Sequence, residues 1–347
     1  MDLLRYNYVI PSKGGILGSS FKLLNRAISI LLIVFLVSCK SSPDRYIKNF
    51  NSGGALGTSY SITYLSDTKL DFQKEIDSVF KAVNQSLSTY IPTSDISKIN
   101  QGNSGIIVDQ MFQEVFTLSK EVHSKTDGYF DPTVGVLVNA WGFGPGQKVE
   151  LDSIKVDSLL NLVGFDKVQL NEKRQVLKRS PNIYIDFNAI AKGYAIDRLA
   201  LMMDKKGIGN YLLEVGGELV GKGENQIKGK PWVVGIDDPQ IEQGRKLKIL
   251  VELKDRAMAS SGNYRKFRID SITGKKFVHT IDPKTGYPKN ASTLGVTVFA
   301  NSCAKADAYA TAFMAMDLDK TIKFLSEQTE LEAYVIYLDR NSEAKEY

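Results

Sequence analysis

The spacing of apolar and polar residues predicts strands and helices from about residue 54 onward. Apolar and polar residues alternate over 57–64, which is typical of a strand with one buried face. Apolar residues recur at helical spacing over 72–87 and again over about 110–125. Each of these two runs predicts an amphipathic helix that packs on a neighbouring layer.

The middle of the chain predicts a strand, a helix and a hairpin. The apolar run 183–186 predicts a strand that ends at Asp186. Asn188 is suited to cap the N-terminus of a following helix and Gly207 is suited to end it, so we expect a helix between the two. Residues 211–220 predict a hairpin that turns at a Gly-Gly pair.

Locally paired strands continue towards the end of the chain. A hairpin is predicted over 264–270 and 276–281, and a strand over 296–299 leads into the helix that carries Asp307. A terminal helix over 318–328 and a strand over 332–338 complete the predicted elements. Strands that pair locally, with helices between the groups, favour the α+β class. We therefore expect a single domain over 54–347, with a mixed, largely antiparallel sheet and flanking helices.

The N-terminal segment has the pattern of a secretory signal. Lys22 and Arg26 precede the apolar run 27–37, which is too short to span a membrane comfortably. The run ends in Leu36-Val37-Ser38-Cys39, which resembles the lipobox of bacterial lipoproteins. In those proteins the cysteine is lipidated and becomes the new N-terminus.

The signal pattern predicts where the protein is located. We expect a signal peptide over 1–38, a lipidated Cys39 and a polar tether over 39–53. A short membrane anchor with an incidental cysteine is the alternative. Lipidation would place the protein in the bacterial cell envelope, lipid-anchored to a membrane, with its folded domain outside the cytoplasm.

Composition excludes some classes of function. Of the 347 residues, 43% are hydrophobic and 24% are charged, as in ordinary globular proteins. The net charge is +5 and Lys and Arg are scattered, so we expect no nucleic-acid partner. Two histidines and two cysteines are too few for a multi-ligand zinc site. Cys303 is interpreted as a small residue that enters a helix.

Two carboxylates and a hydroxyl predict a site for a hard cation. Asp307 and Thr311 are four residues apart on a predicted helix, so their side chains lie on one face. Carboxylate, hydroxyl and carbonyl oxygens are ligands that Mg²⁺ prefers. Asp186 ends an apolar strand, and His279 lies just upstream of the Asp307 helix. A histidine near a magnesium site indicates phosphate chemistry with a base at hand.

Several of these polar residues have a simpler explanation. An ordinary Asp-Pro turn explains Asp131 better than a fixed carboxylate does, on spacing alone. Lys192 lies in the first turn of a helix that follows a strand, a position that favours phosphate binding. A strand followed by a helix is also a common connection without any ligand. His279 either acts as a base or bonds a turn at a strand end. His123, late in a helix, is interpreted as a capping or surface residue.

Nine motifs, in order along the chain, together resemble the ApbE-type FAD:protein FMN transferases. Each motif alone is weak evidence for the family, whereas all nine in the family's order are specific for it. They are Leu56-Gly57-Thr58, Ser88-Thr89-Tyr90, 127–135, 141–144, 186–195, 215–218, 260–264, 279–286 and 306–312.

The resemblance implies a substrate, a metal and a set of site residues. In that family the enzyme takes FAD and Mg²⁺, moves the FMN half onto a threonine hydroxyl of an exported flavoprotein, and releases AMP. His279 is implied as the base. Flavin and nucleotide contacts are implied at Leu56, Tyr90, Tyr129, Phe130, Asp131, Asp186, Lys192 and Ile281. Metal ligands are implied at Ala189 through its carbonyl, at Asp307 and Thr311 through their side chains, and near Ala310.

The chain departs from the family pattern at two places. Some members have a second aspartate at the position of Ala310, so a carbonyl or a water is expected there instead. Other members have Leu-Gly or Leu-Ser where this chain has Phe187-Asn188, and little consequence is expected because Asp186 is retained.

Two other functions remain compatible with the motifs. An FAD pyrophosphatase would use water as acceptor and release FMN and AMP from the same site. A flavin-binding lipoprotein would only store or deliver the cofactor, but it would have no need of a base beside a metal. The family's acceptors include flavin-carrying subunits of sodium- or proton-linked redox pumps at the membrane, which are the expected partners.

Overall fold

The structure, a computed structural model, describes residues 46–241, 246–263, 267–269, 276–289 and 292–347. The predicted signal peptide and Cys39 lie outside the described residues. Residues 46–347 form one unit by their contacts. No helix within the described ranges is long and apolar enough to cross a membrane.

Eight α-helices surround the sheets within the described part of the chain. They are α1 Gln73–Leu87, α2 Asp95–Asn100, α3 Gln110–Lys125, α4 Gly135–Ala140, α5 Ser153–Leu160, α6 Ala191–Lys205, α7 Cys303–Ala315 and α8 Leu318–Ser326. Two 3₁₀ turns cover Pro132–Val134 and Phe165–Lys167. The helices predicted over 72–87 and 110–125, and the terminal helix, are confirmed.

Over the ranges that the structure describes, the strands form one large sheet and three small ones. In chain order they are β1 Ile47–Ala55, β2 Thr58–Ser66, β3 Val168–Leu170, β4 Val176–Lys178, β5 Tyr211–Val215, β6 Glu218–Lys222, β7 Trp232–Asp237, β8 Leu247–Leu253, β9 Arg256–Gly262, β10 Phe267–Ile269, β11 Lys276–Val278, β12 Thr293–Ala300, β13 Glu332–Leu338 and β14 Ala344–Glu346.

The large sheet has the order β1-β2-β5-β6-β9-β12-β13-β14, and three hairpins pair β3 with β4, β7 with β8 and β10 with β11. Every strand pair among the described residues is antiparallel. The α+β class and the largely antiparallel sheet are therefore confirmed, and so are the Gly-Gly hairpin and the β10–β11 hairpin.

The folded domain begins earlier than the sequence predicted. The tether was expected to extend to residue 53, but β1 pairs with β2 from Ile47 to Ala55 without a break. Asn49 and Asn51 on β1 are buried, and their side chains bond Ser66 at 2.7 Å and Asp71 at 2.7 Å. Asn49 and Asn51 are therefore part of the folded domain and not of a tether.

Residues 183–186 do not form the strand that was predicted. The backbone of Ile185 donates to and accepts from the Asn100 side chain, at 2.8 Å in both directions. The Asp186 N–H donates to the Pro132 carbonyl at 2.8 Å. A side chain and a loop carbonyl therefore supply the hydrogen bonds that a neighbouring strand would provide.

The helix after this segment begins later than predicted. Asn188 was expected as its N-cap, but α6 begins at Ala191. The Asn188 N–H donates to Asp186 Oδ1 at 2.7 Å, so Asn188 belongs to a turn around Asp186. The end of the helix is as expected, because Gly207 follows it in the left-handed conformation, with φ +77°.

The two faces of the large sheet have separate apolar clusters. On β5, Leu213 packs into the main core, whereas Leu212 packs against a smaller cluster, as expected for successive strand residues on opposite faces. Helices α6 and α7 contribute to the main core. The β7–β8 hairpin covers the other face through Val234 and Ile236. The cation-site residues predicted on α7 therefore lie on the helix-covered side.

Helix α7 is buried along nearly its whole length and lies directly against α6. A Cβ atom on Gly193 would be 2.3 Å from the Cys303 carbonyl oxygen, so only glycine permits this approach. One turn further along α6, the Asp197 carboxylate accepts hydrogen bonds from the N–H groups of Cys303 at 2.8 Å and Ala304 at 2.9 Å. Asp197 thus caps the N-terminus of α7, and Cys303 is a small buried residue at the helix start, as predicted.

We expect Gly193→Ala to destabilise the protein by about 1–3 kcal/mol, because the added methyl overlaps backbone atoms of α7 that cannot move independently. Alanine would otherwise favour a helix interior. Urea unfolding measures the change. Gly209→Ala is the matched control, since its Cβ would meet no atom within 4 Å. Equal stability of the two variants would show that α6 and α7 are not in backbone contact.

Candidate functional site

Two tight turns and one strand end meet at the same edge of the large sheet. The β1–β2 turn contains Leu56 in the left-handed conformation, with φ 52°. The β5–β6 turn is the pair Gly216-Gly217, at φ 62° and 101°. Strand β9 ends at Gly262 on the same side, because it pairs antiparallel with β6. Leu56, predicted to contact flavin, therefore lies at the edge where β6 begins with Glu218.

Three ionisable side chains from different elements converge beside this edge. The Lys192 ammonium on α6 donates to Glu218 Oε1 at the start of β6. Asp307 Oδ2 on α7 accepts the Gly193 N–H at 3.1 Å. Glu218 and Asp307 are 3% and 4% exposed. The structure therefore brings together Lys192 and Asp307, which are 115 positions apart in the sequence.

Burial and mutual charge perturb these three groups. Burial raises the pKa of Asp307, and the Lys192 charge and the Gly193 N–H act in the opposite direction. Burial also raises the pKa of Glu218. The Lys192 charge lowers this pKa, and the Asp307 charge raises it further. Burial lowers the pKa of Lys192, but the carboxylates of Asp307 and Glu218 outweigh it and raise the pKa overall. When all three groups are ionised, the cluster holds more negative than positive charge, which favours a cation.

The oxygens around Asp307 fit a magnesium ion. Among the described residues no donor bonds Asp307 Oδ1, and no backbone N–H bonds the Ala189 carbonyl at the entrance to α6. Thr311 is partly exposed one turn after Asp307 on α7. Ala310 is fully buried and its methyl group offers no ligand. A hard cation that takes carboxylate, hydroxyl and carbonyl oxygens suits this donor set.

The described residues contain no group of three or more His, Cys, Asp or Glu side chains placed to hold a metal.

Asp186 and Tyr90 lie next to each other, although they are distant in sequence. The Asn188 amide donates to Asp186 Oδ2 at 3.1 Å and to the Thr89 hydroxyl at 3.2 Å, and so joins Asp186 to the residue before Tyr90. Burial raises the pKa of the Tyr90 hydroxyl, and the Asp186 charge raises it further. Burial raises the pKa of Asp186 to about 6, while hydrogen bonds from Asn188 lower it. Tyr90 is 60% exposed, so its ring is available to a ligand. Asp186 and Tyr90, both predicted to contact flavin, thus lie side by side in the candidate site.

The carboxylate of Asp131 is fully used inside the protein. It accepts hydrogen bonds from the Thr133 N–H at 2.8 Å, the Thr133 hydroxyl at 2.5 Å and the Phe165 N–H at 3.0 Å. His123 Nε2 lies 3.2 Å from its second oxygen. Asp131 has the extended backbone expected before proline, at φ −140°. Phe130 is buried in the main core, so Asp131 and Phe130 organise the loop from within.

The expectation for His123 was wrong. It was interpreted as a capping or surface residue, but its side chain is only 20% exposed and contacts Asp131. Its ring also lies edge-on to Phe165, with centroids 6.2 Å apart. The turn at Gly128 reverses the chain between the two residues, and this glycine motif is the sequence feature that could have indicated the contact.

Tyr129 presents its ring at the surface between two lysines. The Lys320 ammonium donates to the Tyr129 hydroxyl at 2.7 Å and lies 5.0 Å from the ring centroid. The Lys284 ammonium is 5.6 Å from the same centroid and 3.6 Å from the Asp127 carboxylate. Of the consecutive predicted contacts Tyr129, Phe130 and Asp131, only Tyr129 has a partly exposed side chain.

His279 lies directly after β11, at the strand end where it was predicted, and is partly exposed. The next residue, Thr280, donates from its hydroxyl to Asn263 at the end of β9, at 3.0 Å. Ile281 is buried against Leu137 and Val156, so its side chain anchors the segment. The site edge therefore includes the segment that carries His279.

The turn after His279 is itself well ordered by hydrogen bonds. The Gly286 N–H donates to the Asp282 carbonyl at 2.8 Å, and the Trp141 indole donates to the Gly286 carbonyl at 2.9 Å. The Asp282 side chain accepts from the Lys284 N–H at 2.8 Å and lies 3.5 Å from the Lys289 ammonium. Trp141, in an aromatic and glycine-rich loop, thus holds the turn in place.

Glu218 is the site residue that the sequence analysis missed. It ends the Val-Gly-Gly-Glu motif, which contributed to the resemblance without receiving a role. A glutamate at the first position of a short strand is usually exposed. Its burial and its bond to Lys192 follow from the packing of α6 over β6, which local pattern does not encode.

Comparison with known proteins identifies the family. The ApbE family matches residues 56–335. The FAD:protein FMN transferase of Haemophilus influenzae is 34% identical over 328 residues, which cover 91% of this chain and 93% of the relative. That of Vibrio cholerae is 34% identical over 303 residues, which cover 84% and 87%.

A solved structure agrees with these sequence matches. The flavin transferase ApbE from Vibrio cholerae superposes with a TM-score of 0.77 at 32% identity, and the match covers 87% of this chain and 97% of that one. Because sequence and fold agree over most of its length, the chain belongs to the ApbE family.

Proposed function

We propose that this protein transfers the FMN moiety of FAD onto a threonine hydroxyl of an exported flavoprotein and releases AMP, with Mg²⁺ as cofactor. Its relatives in the family are FAD:protein FMN transferases. The observation that carries the proposal is the convergence of Lys192, Asp307 and the Gly193 N–H at the N-terminus of α6. A cation, a carboxylate and a helix N-terminus together suit a metal-bound diphosphate.

The site offers FAD two kinds of contact, charged groups for its diphosphate and aromatic rings for its flavin or adenine. The Lys192 ammonium and the N-terminus of α6 both present positive charge. The diphosphate of FAD therefore belongs beside them. The exposed ring of Tyr90 and the partly exposed ring of Tyr129 offer flat apolar surfaces to the flavin or the adenine. Asp131 keeps the Tyr129 loop in place from inside the protein.

Asp307, Thr311 and the Ala189 carbonyl would hold the magnesium ion. Mg²⁺ neutralises charge on the phosphoryl oxygens and orients them. The protein's own contribution is to fix these oxygens before substrate arrives. The Gly193 N–H holds one oxygen of Asp307 at 3.1 Å and leaves the other for the ion.

His279 acts on the acceptor hydroxyl. A threonine hydroxyl is a weak nucleophile until a base removes its proton as the new bond forms. The imidazole takes this proton, the hydroxyl oxygen bonds the phosphorus of the FMN half, and the bond from that phosphorus to the bridging oxygen breaks. AMP leaves with the bridging oxygen. Thr280 and the 282–286 turn hold His279 at the strand end.

The cell envelope is the proposed location. A lipidated Cys39 would keep the enzyme at a membrane, where flavin-carrying subunits of redox pumps are accessible acceptors. FAD pyrophosphatase activity would use the same residues with water in place of threonine. An assay that separates labelled acceptor, free FMN and intact FAD distinguishes transfer, hydrolysis and simple binding.

We expect the wild type with FAD and Mg²⁺ to add the mass of FMN to a threonine-bearing flavoprotein acceptor. Asp307→Ala should nearly abolish this mass gain, because the metal loses its charged ligand. Thr311→Ala should cost less, and excess Mg²⁺ should partly restore it, since water can replace a neutral ligand. Asp157→Ala, which changes an exposed aspartate of α5, is the control. Full activity of Asp307→Ala in micromolar Mg²⁺ would place the metal elsewhere.

His279→Ala should slow single-turnover transfer by about 10²–10⁴-fold while FAD affinity changes little. The loss should appear in the transfer step, because the variant has no base beside the acceptor hydroxyl. Rapid-quench transfer and flavin fluorescence titrations measure the two quantities. If the variant fails only because FAD no longer binds, His279 is a positioning residue and not the base.

Cys39→Ser should leave the expressed protein without lipid, because serine has no thiol to accept it. Intact mass and membrane fractionation of cells that express each form are the measurements. The wild type should carry the acyl mass and fractionate with membranes, and the variant should do neither. Identical mass and fractionation would contradict lipidation at this cysteine and favour the anchor alternative.

A further inference from the structure

The proposed mechanism leaves one buried carboxylate without a task. Glu218 is 3% exposed, and its Oε1 accepts a hydrogen bond from the Lys192 ammonium. Its other oxygen, Oε2, is buried and has no hydrogen-bond partner among the described residues. Unpartnered buried carboxylate oxygens are rare, and this one lies beside the residues assigned to FAD and metal.

Stability does not account for Glu218. The desolvation of two charges offsets most of the attraction within a buried ion pair, so such a pair stabilises a fold little. An oxygen without a donor adds a further cost. A buried glutamate that adds little stability points to a role in the chemistry of the site.

The charge of the cluster supplies that reason. Lys192 contributes one positive charge, and Glu218 and Asp307 contribute two negative charges, so the three groups carry a net charge of −1 when ionised. Such a site attracts a divalent cation and repels a diphosphate. Once the cation is bound, the net charge becomes positive and the diphosphate is attracted.

We propose that Glu218 sets the order of binding: by balancing Lys192 it keeps the metal-free site negative, so that the divalent cation binds before FAD. Without Glu218, Lys192 and Asp307 would cancel, and the diphosphate could bind Lys192 in the absence of metal. The proposal rests on the proposed function, because it concerns the same magnesium and FAD site.

Two binding titrations without turnover test it, at pH 8 so that the carboxylates are ionised. Mn²⁺ binding without FAD is followed by electron paramagnetic resonance, and FAD binding in excess EDTA by flavin fluorescence. Glu218→Gln keeps an oxygen for Lys192 but removes one charge. It should weaken Mn²⁺ binding and tighten metal-free FAD binding, each by roughly tenfold. Glu218→Asp, which keeps the charge, should resemble the wild type.

The matched control is Glu214→Gln on the other strand of the same hairpin. The Glu214 carboxylate accepts a hydrogen bond from the Gly217 N–H at 2.8 Å, and glutamine retains this interaction. Glu214→Gln should therefore leave the affinities for Mn²⁺ and FAD unchanged. Lys192→Gln removes the opposite charge and should tighten Mn²⁺ binding while weakening FAD. It remains informative if Glu218→Gln fails to fold, which thermal unfolding shows.

Opposite changes in the two affinities are the signature of a charge effect, since damage to the site weakens both. The proposal is overturned if Glu218→Gln weakens both ligands or changes neither, or, where that variant is unfolded, if Lys192→Gln fails to tighten Mn²⁺. The wild-type acceptor assay is independent of these titrations. A wild type that binds Mn²⁺ and FAD as described but labels no acceptor would contradict transfer and leave the order of binding intact.

Discussion

The backbone contact between α6 and α7 is the constraint on which the site depends. Gly193 brings α6 against the first turn of α7, and Asp197 caps that turn from one helical turn away. The same contact aims the Gly193 N–H at Asp307. One glycine therefore determines both the distance between the helices and the orientation of the proposed metal ligand. A side chain at this position would separate the two helices and displace Asp307.

The two carboxylates beside this contact, Glu218 and Asp307, are desolvated before any substrate arrives, whereas 33% of the Lys192 side chain is exposed. Lys192, Glu218 and Asp307 are held by α6, β6 and α7, and each element is fixed by apolar packing on one side of the sheet. In a medium of low dielectric these charges act on a diphosphate more strongly than they would in water. The packing of the core thus supplies the electrostatics of the site, because it prevents the three groups from reorganising.

The loops on the other side of the site are rigid for a different reason. Asp131 ties its own loop to Thr133 and Phe165, and Trp141 ties the turn after His279 through Gly286. These bonds join segments that are distant along the chain, such as Trp141 and Gly286, which are 145 residues apart. Tyr129 and His279 are consequently presented from ordered segments, which the proposed in-line phosphoryl transfer would need.

The sequence by itself determined the periodic elements and the types of residue in the site. Apolar spacing predicted α1, α3 and the glycine hairpin, and the four-residue spacing placed Asp307 and Thr311 on one helix. These predictions succeeded because a helix or a hairpin is encoded by neighbours within one or two turns. The motif order indicated the family for a similar reason, since it needs no knowledge of contacts.

Only the tertiary structure decided which groups meet. The predicted strand at 183–186 is instead held by Asn100, 85 residues away, and polar 47–53 pairs with β2 rather than forming a tether. His123 reaches Asp131, and Glu218 is buried under Lys192. Each of these outcomes depends on a partner that is distant in sequence. Local pattern specifies the period of an element, whereas burial and hydrogen-bond partners are set by the elements that pack against it.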